Sequence, residues 1–388
     1  MTKQITMLLS LTILSPLNLS AFELKQKVGE VDTKLKLYGF SQLEMRGGEG
    51  IISNDQDANV VFSAQRVRLG INYTAERVFG KLFLDFNRPH DDKSGVGMPD
   101  MVKDGFVGYL YDTALYAKIG MMKMPHGMGF TTPGWNLDVV ERGFDKKLAL
   151  ERSMGLMISG RGIGGEGNKV NGFEMGHERP WHGFGYDIMI ANQAGRSGAV
   201  NNAKQGNDNA YALRVMYDQG ELLHTELSYA LSSQAGGIQG QKIEGVALEQ
   251  GTLAYKSVDF GIDSHFGQGN AKFEYFDSQN IRGVNGWDES SYSVTGTYYV
   301  TDTAELALKH IQGHAEKDSI ETDLGNTYIG INYYLAPFDN TMSRSAKRKR
   351  NAHRLQLNYV LASGDKERWN GLGGYHDNVW LAQYQYKF

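Results

Sequence analysis

The 388-residue sequence contains no cysteine, which excludes disulfides and thiolate metal sites. Beyond residue 21 it has no continuous apolar run of helix length, so any passage through a bilayer has to be made by strands closed into a barrel. Its ten histidines show no HExxH or other close ligand spacing, and no metal or cofactor is expected. No GxSxG is present. The glycine-rich stretch 160–172, GRGIGGEGNKVNG, lacks the GK[ST] ending and the strand-to-helix setting of a phosphate-binding loop. The net charge of -4 is mild for this length and argues against a nucleic-acid partner.

Residues 1–21 read as a secretory signal peptide: Lys3, then the apolar stretch ITMLLSLTILSPLNL, then Ser20 and Ala21 before a cut after Ala21. Removing them leaves 22–388 as a single domain of charge -5, since Lys3 is lost and no acid is. Gly 48 and Tyr 21 are high and Pro 7 is low, which suits glycine-rich loops joining tyrosine-rich strands. Mean hydropathy is negative, as expected when only alternate residues meet lipid.

From about residue 33 onward, segments alternate with a period of two. In 66–73, Val67, Leu69, Ile71 and Tyr73 oppose Arg66, Arg68 and Asn72. In 354–361, Leu355, Leu357, Tyr359 and Leu361 oppose Arg354, Gln356 and Asn358. These are half-buried strands, not helices. The last segment puts Trp380, Ala382, Tyr384, Tyr386 and Phe388 on one side, which predicts a membrane-facing terminal strand. Short turns (74–76, 111–113, 218–220, 266–268, 301–302) alternate with longer polar loops (47–62, 89–102, 124–152, 193–207, 234–250, 279–286, 314–323, 364–376). Seventeen segments qualify as strands, but a single-chain bacterial barrel needs an even number. Treating 162–181, with VNGFEMGHE at 170–177, as one elaborate periplasmic connection leaves sixteen strands and puts both termini in the periplasm. The expected fold is therefore all-β: a 16-stranded antiparallel transmembrane barrel with an inward-folded, long third extracellular loop.

That loop, 124–152, is rich in charge. Lys123, Arg142, Lys146, Lys147 and Arg152 stand with Asp138, Glu141, Asp145 and Glu151, and His126 adds a titratable group. Paired charges across a constriction set the local field and hence ion preference; the plain alternative is a solvated surface loop. Polar strand faces carry nine bases (Lys36, Arg66, Arg68, Lys81, Lys118, Arg214, Lys272, Lys309, Arg354) and five acids (Glu44, Asp85, Glu226, Glu274, Glu305), a lean toward anions. Arg66 and Arg68 project the same way, and arginine pairs well with phosphate or carboxylate oxygens. A lumen ion-pair network is an equal alternative. The run SRSAKRKR, 343–350, falls at the periplasmic rim, where a solvated turn is its simplest reading.

Several blocks resemble the phosphate-selective porins O and P: Arg66-Val67-Arg68-Leu69-Gly70; Gly120 through Lys123 with Pro125 and Gly127; Glu141-Arg142; and Arg152 through Gly155. YIGINYYLAPF and the aromatic terminal strand are similar as well. The resemblance implies an outer-membrane porin of a Gram-negative bacterium. It implies a homotrimer that passes small anions and is inserted by the barrel-assembly machinery through its C-terminal strand among outer-membrane lipids. Family members bind phosphate or polyphosphate with pore lysines and arginines, and Lys123, Arg142 and Arg152 occupy matching motif positions. The four acids of the loop and the negative net charge depart from a strongly basic pore. The expected anion contacts are Arg66, Arg68, Lys123, Arg142, Lys146, Lys147 and Arg152, opposed by Asp138, Glu141 and Asp145. A general or organic-acid diffusion porin is the close alternative. An outer-membrane hydrolase with a dispersed Ser/His/acid site, and an adhesion barrel with a blocked lumen, are the others.

Overall fold

The two-residue period of the sequence becomes a two-sided wall. The computed structural model describes residues 22–49, 60–87, 101–165, 182–192, 209–220, 222–232, 242–243, 246–247, 253–281, 284–335, 352–364 and 374–388. The expected signal peptide 1–21, the segment 170–177 and the basic run 343–350 lie outside them. The chain opens with β1 (Phe22–Val28), β2 (Val31–Gly47), β3 (Val61–Ala75), β4 (Val78–Asp85), β5 (Val102–Asp112) and β6 (Leu115–Lys123). After the segment 124–151 come β7 (Arg152–Ile163), β8 (His182–Asn192), β9 (Asn209–Gln219), β10 (Leu223–Ser232) and a small hairpin, β11 (Lys242–Ile243) and β12 (Val246–Ala247). The rest is β13 (Tyr255–Phe266), β14 (Gly269–Gln279), β15 (Trp287–Tyr299), β16 (Ala304–Lys317), β17 (Ile320–Tyr334), β18 (His353–Gly364) and β19 (Val379–Lys387).

Strands β2–β10 and β13–β19 each pair antiparallel with their neighbours, and β19 closes on β2 with Trp380 opposite Gly47 and Lys387 opposite Phe40. The result is a closed sixteen-stranded barrel, as the alternation predicts. Closure leaves no unpaired edge in the wall. Phe388 finishes the seam through reciprocal backbone bonds with Gly39, both 3.0 Å. β1 was not anticipated. It folds back on β2 through Gly29, at φ +63, and pairs with Val31–Leu37, beyond the point where β19 ends.

Exposure is inverted relative to a water-soluble fold. In β18, Leu355, Leu357, Tyr359 and Leu361 are exposed while Arg354, Gln356 and Asn358 are buried. In β9, Tyr211, Leu213 and Val215 face out while Arg214 and Asp218 face in. An apolar outer face and a polar inner face fit only lipid outside and water within. A lysine at Leu357, mid-strand on the apolar face, will cost about 2–4 kcal/mol if it sits at the bilayer midplane. Urea titration of the lipid-reconstituted barrel measures this directly.

One connection differs from expectation. The segment 314–323 is not a long loop but the end of a hairpin, with Lys317 opposite Ile320 across Asp318-Ser319. Asp318 supplies the positive φ of 57° that a two-residue turn requires. The strands here carry polar residues on both faces, so the period-two signal fades although the hydrogen-bond ladder continues.

Candidate functional site: a cavity between a long segment and a basic wall

The segment 124–151 contains a single helical turn, α1 (Met128–Thr131), and two 3-10 turns at Gly134–Asn136 and Phe144–Lys147. Gly127, at φ +84, turns the chain into α1; a Cβ there would come within 2.8 Å of the Phe276 ring. The carbonyls at the end of so short a helix have no partners of their own. Lys123 supplies them, its Nζ donating to the oxygens of Phe130 (2.7 Å), Thr131 (3.1 Å) and Thr132 (3.4 Å). Arg142 donates Nε to Gly129 O at 2.8 Å and Nη2 to Thr132 O.

Side chains on the polar faces of six strands hold the segment. Gln42 donates to Gly134 O (3.0 Å), Gln385 to Trp135 O (3.1 Å), Arg354 to Leu137 O (2.7 Å) and Asn332 to Asp138 O (2.8 Å). Tyr255 donates to Leu148 O. In return, Val140 N–H donates to Asn358 Oδ1 (2.7 Å) and Gly129 N–H to Glu274 Oε1 (2.9 Å). Phe130, Val139, Val140, Phe144 and Leu148 pack in one apolar cluster with Ala210, Ala212, Ala230, Ile311 and Tyr328 of the wall.

A cavity of about 140 Å³ lies between this segment and strands β3–β9. Seven bases line it (Arg68, Lys81, Lys118, Lys123, Arg152, Arg161, Arg214) against two acids, Asp104 and Asp187. Most are engaged. Arg152 and Lys81 pair with Asp104 at 2.8 and 3.0 Å. Arg161 meets both oxygens of Asp187 at 2.9 Å, and Arg214 Nε adds a third bond at 3.0 Å. Arg68 pairs with Asp85 at 3.0 Å and lies 5.7 and 5.6 Å from the Phe40 and Phe83 rings. A smaller cavity, about 50 Å³, opens on the other side of the segment and carries the opposite balance. Asp138, Glu141, Asp263 and Glu274 stand there against Lys272 and Lys309.

The residues expected from sequence therefore separate. Arg68, Lys123 and Arg152 converge on the basic cavity. Arg66 lies apart from them beside Gln42, where the ladder slips by one residue. Arg142 is spent on the segment's own backbone, Lys146 pairs with Glu151 at 3.4 Å, and Lys147 is exposed. Asp138 pairs with Lys272 at 2.6 Å, Glu141 accepts from Tyr328 at 3.2 Å, and Asp145 accepts from Lys146 N–H at 3.0 Å. Trp380, Tyr384, Tyr386 and Phe388 stand on the face opposite buried Leu381, Gln383 and Gln385. Arg161 was missed; counting by twos from Met157 through Ser159 puts it opposite Leu156 and Ile158 and would have found it.

The family model for phosphate-selective porin O and P matches residues 49–265. The chain belongs to that family. It is an outer-membrane porin, and the barrel, lipid-facing belt and polar interior are those of a channel. No curated protein sequence matches it. Among solved structures it is similar to a loop-deletion mutant of OmpT from Vibrio cholerae (14% identity, 92% of this chain and 99% of that one, TM-score 0.58). It is also similar to an anion-selective porin from Comamonas acidovorans (14%, 92% and 100%, 0.56) and to Salmonella typhi OmpF (13%, 92% and 98%, 0.55). At these identities the likeness concerns the fold.

One group in the porin's long segment has a pH consequence. His126 is fully buried, its Nδ1 accepting from Leu150 N–H at 3.3 Å, its ring edge-on to Phe276 at 5.6 Å. Burial pushes its pKa down to about 3. It stays neutral when packed, whereas a released His126 takes up a proton below about 6.5. The packed state therefore loses stability as pH falls from about 6.5 toward 3, on the order of tenfold in population per unit. Channel-current noise should rise over that window, and His126→Asn should flatten the rise.

Proposed function

We propose that this porin passes small anions by passive diffusion, without catalysis, through the passage between segment 124–151 and the basic wall. The observation that carries the reading is the seven-to-two excess of bases over acids around that cavity. Rings of lysine and arginine favour anions by fixed charge, at no cost of reorganisation. Bonds from the segment to polar-face side chains of six strands support a third extracellular loop folded inward to narrow the pore. Phosphate is the solute that the family's description names. A weakly selective or organic-acid pore is the second reading, favoured by the acids on the other side of the loop.

The chain functions as residues 22–388 after removal of the leader. It forms a homotrimer, as the trimer form of V. cholerae OmpT does (15% identity, TM-score 0.54). Its C-terminal strand engages the barrel-assembly machinery. The test is reversal potential in a planar bilayer under a salt gradient. A potential favouring chloride over potassium supports the reading, and one favouring potassium overturns it.

A further inference from the structure

We propose that the basic cavity is a binding station for small aromatic monocarboxylates, with Lys118 holding the carboxylate; this rests on the anion-porin reading above. Three observations lead there.

The first is which charge is open. Of the seven bases, Lys118 alone donates to no protein acceptor among the described residues. Its ammonium stands 5.7 Å from the Phe106 ring and 5.6 Å from the Tyr116 ring. The guanidinium groups of Arg161 and Arg214 are occupied by Asp187, Lys81 and Arg152 by Asp104, and Arg68 by Asp85. Lys123 is bonded to three backbone carbonyls. The engaged bases still contribute field, and each gives at least one donor to a protein acceptor, whereas Lys118 gives none among the described residues.

The second is the rest of the wall. Phe83, Phe106, Met122, Met124, Met157 and Trp135 line the same cavity, joined by two prolines. A tetrahedral oxyanion needs donors on every side, because each buried, unbonded oxygen carries its full desolvation penalty. An ammonium without a protein acceptor, flanked by the Phe106 and Tyr116 rings, meets that need poorly on its own side of the cavity. It suits a ligand with its charge at one end and an apolar body at the other, the usual make-up of small-molecule sites. The ring and thioether neighbours favour a flat aromatic body over an aliphatic one.

The third is size. A cavity of about 150 Å³ accepts one benzene ring, and this one measures about 140 Å³. The protein's own arrangement repeats the pattern, since lysine over phenylalanine is the contact a bound arene would extend.

The test is block of chloride current through the reconstituted full-length porin by benzoate, acetate and inorganic phosphate, each titrated separately. Benzoate should half-block at a concentration about tenfold below acetate or phosphate. Lys118→Met, which keeps the stem, should weaken benzoate about tenfold; Phe106→Leu should weaken benzoate and leave phosphate unchanged. Equal block by benzoate and acetate, or tighter block by phosphate, overturns the proposal while leaving an anion porin standing. A cation-selective current overturns the underlying reading instead. If a variant gives no channels, calorimetric titration of benzoate into detergent-solubilised wild-type protein decides. Saturable binding that acetate does not displace supports the site, and its absence removes it.

Discussion

Replacing Asp187 by alanine will destabilise the barrel by about 3–5 kcal/mol and make the surviving channels more anion-selective. Asp187 is fully buried, and its two oxygens accept from Arg161 and Arg214, themselves only 3% and 4% exposed. A carboxylate shared by two guanidinium groups holds both in fixed geometry. Removing it leaves two like charges close together, with Glu226 still reaching Arg214 at 3.4 Å but no carboxylate bonded to both. The cost is the stranded charge, not the lost bond, so Asp187→Ala combined with Arg161→Met should recover most of it. Urea unfolding in lipid measures the first effect and reversal potential the second, because the cavity keeps seven bases and a single acid. A loss below about 1 kcal/mol would mean that pore water already screens the cluster as it does a surface pair.

The fold was largely legible, because a barrel repeats one local rule. Alternation in 66–73 and 354–361 reports which face meets lipid, and short turns between such segments report antiparallel neighbours. The rule fades where both faces meet water, which is why 314–323 looked like a loop while its ladder ran on to Lys317 and Ile320. β1 was hidden for a related reason: every residue of FELKQKV is exposed, so no buried face marks it. The candidate site was less legible. Loop cations are natural candidates for solute contacts, yet Lys123 and Arg142 go to backbone carbonyls left open by α1. Lys118 could be placed on a polar face from sequence, but its lack of an acceptor depends on neighbours in β5 through β9. Those strands meet only in the closed barrel, and no spacing within one strand encodes the arrangement.

Excising residues 128–149 and bridging the gap with a short glycine-serine link will raise single-channel conductance several-fold and abolish most anion preference. The expectation follows from what the segment does to its surroundings. Its backbone receives bonds from Gln42, Asn332, Arg354 and Gln385, and its apolar side chains fill space against Ala210, Ala212 and Ala230. Ordinarily, stripping partners from so many buried polar groups would unfold a protein. Here water enters the vacated volume and hydrates them, since they stand on the inner, wet face of the wall. The barrel's own ladder, closed from β2 to β19, is untouched. Stability should thus fall little while the pore widens. Selectivity falls because Lys118 and its neighbours then act across a broad aqueous lumen, in high dielectric and screened beyond about 10 Å in ordinary salt. Arg354→Met, which removes one of the wall's bonds to the segment, the 2.7 Å donation to Leu137 O, should give a graded version of the same change. Unaltered conductance after excision would mean that the segment does not narrow the pore, and the search for the constriction would move elsewhere along the wall.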